Sequence, residues 1–386
     1  MSCLKVSKLV ETMSFGPARP HWARLMNKRN SRRFSLAIRT AIPLVFVAFA
    51  ANAQNQGSTV KGTTVSTDLP EQEPPKYPKG NIRRGQEGWV RMSYIIAPDG
   101  SATDPLIIDS SGGKGFEEEA RKASGNWRFA PLEVPGERPN NVVDIRSEIE
   151  SGRDRATSNF MRRYVKIVSH LRSTEYEDAR RMVNSAHEIG GWNLYESTML
   201  WLMTGRVEGA EGNLAGKLEH YRRAHRIATK IRLNRKDRVE LLEKIFMLED
   251  HFGQYAEAMG THALLKKALG EDSINAQVAE RSAEIRAKID SLEPIVAQAT
   301  VYNPCDCDAG TPLWYYKPAR RTFSFANLSG NVQSFEARCE HQRVQGPVEA
   351  GTKWTLAPEW GSCRVFVFGD DGATFEFVEH PTDAED

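Results

Sequence analysis

The hydrophobic period changes twice along this chain, and that constrains the fold more than any other feature. From Gly88 the run "WVRMSYIIA" alternates apolar and polar residues, Pro98-Asp99-Gly100 supplies turn chemistry, and "ATDPLIID" returns as a second strand. From Ala156 to about Val296 the apolar residues recur at helical spacing in segments joined by short turns, and from about Thr300 strand-like alternation resumes. Period 2 sends successive side chains to opposite faces of a strand, whereas period 3.6 lines one side of a helix, so a segment with one pattern cannot serve as the other. A chain of 386 residues also exceeds what one core usually spans. Three parts are expected: α+β over 74–151, all-α over 155–297, and a small all-β part over 298–386.

The first part reads as strand, strand, helix, strand. "GFEEEARKASGNW" has a helix's period and stops at Gly125, and "VVDIRSEIE" alternates again with Val143, Ile145, Ser147 and Ile149 on one face. The order of Tyr77-Pro78, Gly85, Glu87-Gly88, Val90, Asp99-Gly100, Ser110-Ser111, Phe116, Ala120, Trp127-Arg128-Phe129 and Pro131 resembles the TonB C-terminal domain over residues 74–151. The resemblance implies a small antiparallel sheet packed against helices, with a last strand that accepts an extended peptide from an outer-membrane receptor. Backbone physics leads to the same strand: Val142–Glu150 as an edge presents unpaired N–H and C=O groups to an incoming segment. Val143, Asp144, Ile145, Arg146, Ser147, Glu148 and Ile149 are therefore the candidate partner-binding residues. Their charged members serve equally well to repel nonspecific pairing.

Residues 1–53 hold nine Lys or Arg against one acid, Glu11, which leaves 43 bases against 49 acids in the rest of the chain. That acidic remainder argues against a nucleic-acid-binding surface. "NKRNSRRFSLAIRT", then "AIPLVFVAFA", then "ANAQ" has the layout of a secretory signal cut after Ala53, with Met26 as the expected true start. The alternative is an uncleaved inner-membrane anchor, against which the run from Ala41 to Ala53 falls short of the roughly 20 residues a spanning helix needs. A periplasmic protein is expected, and residues 54–73, small and polar, read as a linker. A TonB transducer, by the same resemblance, has a membrane helix engaging the ExbB and ExbD motor, a long Pro-rich spacer, and its receptor-binding domain at the end. This chain instead has a short spacer and a long extension after the domain.

In the middle part, Trp201, Gly205, Gly212, Leu214, Leu218, Tyr221 and Ala224 have the spacing of a tetratricopeptide repeat, echoed by Tyr176 with Ala179 and Tyr255 with Ala258. The expectation is tetratricopeptide-like helical hairpins stacked in a solenoid, closed by a helix capped at Asp272 or Ser273. Such an array binds a peptide on its concave side or serves as a spacer holding the flanking domains apart. In the last part, strands flank Ser329-Gly330-Asn331 and Asp371-Gly372 as two hairpins. Cys305, Cys307, Cys339 and Cys363 all lie here, and in an oxidising compartment they read as two disulfides of open connectivity.

No catalytic constellation emerges. "SGGKG" lacks the order of a phosphate loop, His187-Glu188 lacks a second histidine for zinc, and His220 and His225 are off any single helical face. Glu117, Glu118 and Glu119 fit a helix's acidic first turn. Trp314, Tyr315 and Tyr316 with Lys317, Arg320 and Arg321 group as a possible grip on an envelope glycan or lipopolysaccharide, or as core aromatics. The expected function is recognition of a protein or peptide partner in the envelope, without enzyme activity, cofactor, metal or nucleic acid. The motor is a partner only if the N-terminal anchor is retained.

Overall fold

The computed structural model describes residues 60–66 (as backbone), 73–112, 114–131, 138–149, 155–228, 233–270, 273–303 and 311–381. The signal segment, Cys305, Cys307 and Asp272 lie outside the described residues.

The front part consists of β1 (Val60–Ser66), α1 (Lys79–Arg84), β2 (Gly88–Ile96), β3 (Ala102–Ser110), α2 (Lys114–Ser124) and β4 (Arg138–Ile149), in one antiparallel sheet ordered β1-β4-β2-β3. The motif residues earn their places sterically. A Cβ on Gly88 would sit 2.3 Å from the Phe116 ring, and one on Gly100, whose φ is +84°, would sit 2.1 Å from the Phe129 carbonyl oxygen. Asp99 Oδ1 accepts from Ser101 N at 2.9 Å and fixes the β2–β3 turn. Tyr77 donates to the Gln86 carbonyl at 2.6 Å and Trp127 Nε1 to the Glu73 carbonyl at 3.1 Å, tying the entry of the domain to its helix layer. Val90, Met92, Tyr94, Ile96, Phe116, Ala120, Trp127, Val143 and Ile145 form the core on that side.

The opposite face of this sheet is buried too. The alternation of "WVRMSYIIA" implies one buried and one open face, yet all of β2 is inside except the partly exposed Arg91. Trp89 packs with Leu194, Trp201, Ala224 and Ile227 of the helical part, and Ile108 packs with Leu313 and Phe366 of the last part.

Among the described residues, seven helices follow: α3 (Ser158–Arg172), α4 (Tyr176–Ile189), α5 (Leu194–Ala210), α6 (Leu214–Ile227), α7 (Arg235–His251), α8 (Tyr255–Leu269) and α9 (Ala276–Ile289). They pack as consecutive hairpins. Thr157, Asn193, Asn213, Asn234 and Asn275 each cap a helix with a side-chain oxygen, Asn193 in a full capping box with Glu196. The last helix is therefore capped by Asn275, not by Asp272 or Ser273, because Asn275 accepts from Gln277 N. A Cβ on Gly205 would lie 2.6 Å from the Tyr221 ring, which is the close helix approach that the glycine spacing implied. Among the described residues, no helix is long and apolar enough to cross a membrane.

The last part is a β-sandwich. β5 (Ile295–Thr300), β7 (Thr322–Ser329), β10 (Trp354–Thr355) and β12 (Thr374–His380) form one sheet; β6 (Leu313–Tyr316), β8 (Val332–Cys339), β9 (Arg343–Pro347) and β11 (Cys363–Gly369) form the other. The two expected hairpins are not hairpins. Each turn carries the chain from one sheet to the other, so β7 pairs with β12 and β8 with β11. Cys339 and Cys363 are thereby direct cross-strand partners, joined as a disulfide inside one sheet. Phe323, Phe325, Phe335, Phe375, Phe377, Trp314 and Tyr316 fill the space between the sheets.

The helical array does not hold the two β parts apart. Arg338 donates to Ser93 Oγ at 3.1 Å, Arg343 pairs with Asp104 at 2.7 Å, and Asn140 donates to the Ser362 carbonyl at 3.0 Å. The spacer reading is corrected accordingly: the long-range apolar match of Ile108 with Phe366 is invisible to a local period.

Candidate partner-binding edge

β4 was expected to be the open edge of the front sheet, and it is not. The sheet continues onto β1, which pairs antiparallel with β4 through Val60↔Ile149, Gly62↔Glu148, Thr63↔Ser147, Thr64↔Arg146, Val65↔Ile145 and Ser66↔Asp144. The stretch read as a linker thus supplies a strand. Its signal was present in the β-branched run Val60, Thr63, Thr64, Val65, and was outweighed by small polar neighbours.

The candidate side chains divide by face. Val143, Ile145, Ser147 and Ile149 are all less than a tenth exposed and point toward the domain's helix side, as the alternation implied. Asp144 pairs with Arg91 on β2 at 3.1 Å. Arg146 donates to the carbonyls of Ile227 at 2.7 Å and Arg226 at 2.8 Å, the last turn of α6, where a cation meets the negative end of the helix dipole. Glu148 lies close enough to Tyr77 that its charge adds to burial and to Glu87 in raising the phenol's pKa. Asp144 and Arg146 are therefore neither gatekeepers nor free contacts. Backbone recognition is what this strand has to offer.

A second feature escaped the sequence reading: the ion cluster that locks the front sheet to α6. On β3, Ile108 is an extra residue between the pairs Arg91↔Asp109 and Met92↔Ile107, and this bulge helps turn Asp109 outward. Asp109, fully buried, accepts from Arg223 Nε at 2.7 Å and from Arg226 at 2.6 Å. Arg223 also lies over the Trp201 ring, and Arg226 over Tyr315. Glu87 completes the lock by accepting from Leu194 N at the start of α5 and from Ile149 N at the end of β4, at 2.9 and 3.1 Å.

The remaining candidates take structural places. His187 and His220 lie against Trp201, the first also bonded to Thr204. His225 sits in a dense environment, where burial, then Arg226, Arg238 and Arg91, push its imidazole down to about 4. Glu117 accepts from Ser110 Oγ at 2.5 Å inside the domain, and Ser111 Oγ accepts from Trp89 N, which is turn chemistry rather than an anion cradle. Trp314 and Tyr316 are core residues, and Arg320 is buried, so the aromatic-basic cluster does not form a glycan-gripping surface. His170, Glu175 and Asp178 bring three ligand atoms within 4.8 Å of one another, but Glu175 is exposed and Asp178 also pairs with Arg181.

The family model of the Gram-negative bacterial TonB protein C-terminal matches residues 73–146. The chain is 37% identical over 59 residues to Protein TonB of Pseudomonas aeruginosa, a match covering 15% of this chain and 17% of that protein's length. Among solved structures, the TonB2 protein of Vibrio anguillarum is 29% identical, with 30% of this chain and 99% of that one covered and a TM-score of 0.19. The Pseudomonas aeruginosa TonB C-terminal domain, solved by solution NMR, is 25% identical, with 25% and 92% covered and a TM-score of 0.18. Residues 73–146 thus carry a TonB C-terminal domain, and β1 lies ahead of the matched segment.

Proposed function

We propose that this is an envelope protein of the TonB type that recognises a protein partner by adding an extended peptide to the edge of β4, without carrying out a reaction of its own. One observation supports it most directly: β4's outward backbone is paired by a separate strand rather than blocked by a helix, so this edge already accepts strand addition. The other edge is poorer. β3 carries Asp104 at φ +46° and then Pro105, which lacks an N–H. Both faces of the sheet are covered, which leaves an edge as the domain's route to a partner.

In this reading the helical part, of tetratricopeptide-like hairpins, and the sandwich form a rigid mount for the front domain. An outer-membrane receptor segment is the partner class that the TonB domain favours. Direct coupling to an ExbB and ExbD motor belongs only to a chain that keeps its apolar N-terminal run.

The test is site-specific photo-crosslinking in the envelope from a reactive residue at Glu148, compared with one at exposed Glu359. The expected adduct joins Glu148 to one contiguous extended segment of a partner. Adducts at Glu148 that are absent, or no different from those at Glu359, sink the proposal.

A further inference from the structure

We infer that Val60–Ser66 is a resident stand-in for the partner: it holds the β4 edge in the free chain and must leave before a peptide binds. The peptide that replaces it is extended, nearly uncharged and rich in β-branched residues, and runs antiparallel to β4. This rests on the strand-addition reading above and adds the competitor and the partner's chemistry.

Four observations carry it. β1 precedes the matched domain of residues 73–146, so the domain's edge is covered by chain from outside it. Its pairing is short and interrupted, with a register shift between Val60 and Gly62, and it reaches only from Ile149 to Asp144 of a strand that begins at Arg138. Short pairing is the kind a competitor can replace, whereas β2 pairs with β4 over a longer run, from Ser147 through to Arg138, with a register shift of its own between Tyr94 and Ile96. The side chains of β4 are committed to the core, to Arg91 and to α6, so the incoming strand is selected through its backbone and strand propensity. The sequence "VKGTTVS" fits that demand: four β-branched residues and one charge, Lys61, which falls at the register shift.

Tethering sets the size of the effect. A short tether gives its strand a local concentration on the order of millimolar, so a segment with about 0.1 mM affinity of its own weakens a competitor roughly tenfold.

The experiment measures binding of a fluorescent synthetic peptide copying residues 58–67 to the full exported chain in three forms. The opened form is Thr63→Pro with Thr64→Pro: successive N–H groups point to opposite sides of a strand, so one of the two replacements must remove a donor to β4. The locked form is Gly62→Cys with Glu148→Cys, direct cross-strand partners, which in an antiparallel pair have Cα atoms about 4.5–5.5 Å apart, a separation a disulfide spans, with the bridge verified by peptide mass. A second opened form, Gly62→Asp, sets like charges opposite each other at Glu148 and decides the matter should the proline form not fold. The expected order is opened, then native, then locked, with at least a tenfold gain from native to opened. Equal affinity in all three forms overturns the stand-in while leaving the edge as a binding site. A folded opened form that does not bind the peptide overturns the strand-addition reading itself.

Discussion

Two arginines fix the two β parts to the ends of different helices in the array, α6 and α9, by the same device, yet the seams around them differ. Arg146 on β4 places its guanidinium on the last carbonyls of α6, and Arg320, just before β7, places its own on those of α9 and the turn after it. Arg320 is 8% exposed and serves the carbonyls of Lys288, Ile289, Ser291 and Glu293 at 2.5 to 3.2 Å. Arg146 serves two, and the seam beside it rests on Asp109 with Arg223 and Arg226. The back seam centres on the Arg320 guanidinium, with Gln254 donating to the Gln298 carbonyl and Glu257 accepting from Lys317 N beside it. The front seam is spread over several charges and is vulnerable at Asp109, the anion that Arg223 and Arg226 share.

The comparison breaks first at Asp109. Asp109→Ala leaves Arg223 buried without its counter-charge and should cost about 4 kcal/mol, read as a fall in thermal or urea midpoint. A loss under about 1 kcal/mol would mean the cluster is not the front seam's anchor.

Arg320→Met should cost about 3 kcal/mol, because it orphans carbonyls of a helix end that the sandwich covers. Hydrogen exchange should rise around residues 286–293 while the front sheet stays protected. Equal deprotection of both would make the two seams one cooperative unit.

Acid sharpens the contrast. His225 lies on α6 beside Arg226 and near Arg91 of the front sheet, and its folded pKa of about 4 lies below the ordinary 6.5. A depressed histidine binds more protons unfolded, so its contribution is full above pH 6.5 and is lost as pH falls toward 4, on the order of 2 kcal/mol. His225→Gln should flatten stability across that window without altering the response of Arg320→Met. A slope unchanged by His225→Gln would assign the acid sensitivity elsewhere.

Arg146→Met should be the mildest, about 1 kcal/mol, since Asp109 keeps the domain on α6. Combined with Asp109→Ala, its cost should exceed the sum of the singles; strict additivity would show that the two contacts are independent.

Much of the front domain was legible because its motif residues act over short distances. Tyr77 reaches Gln86, Asp99 reaches Ser101, and the helix and strands keep the periods that announce them. The candidate edge was half legible: the facing of Val143, Ile145, Ser147 and Ile149 follows from period 2, but the occupancy of their strand's other side does not. The back part shows the same limit. A turn at Ser329-Gly330-Asn331 is readable, yet nothing in the turn says whether the next strand stays in the sheet or crosses the sandwich. Cys339 met Cys363 only because both arches cross together.

By itself, the sequence determined the succession of a strand-and-helix front part, a helical middle and a strand-rich end, with β1 missed, and that a TonB C-terminal domain lies near the front. Those properties are carried by periods and turns within a few residues. The tertiary structure alone decided that β1 covers β4, that both faces of the front sheet are buried, and that Asp109 meets Arg226 across 117 positions. Such pairings depend on how separate elements pack and on which buried charges find partners, and neither leaves a local pattern in the chain.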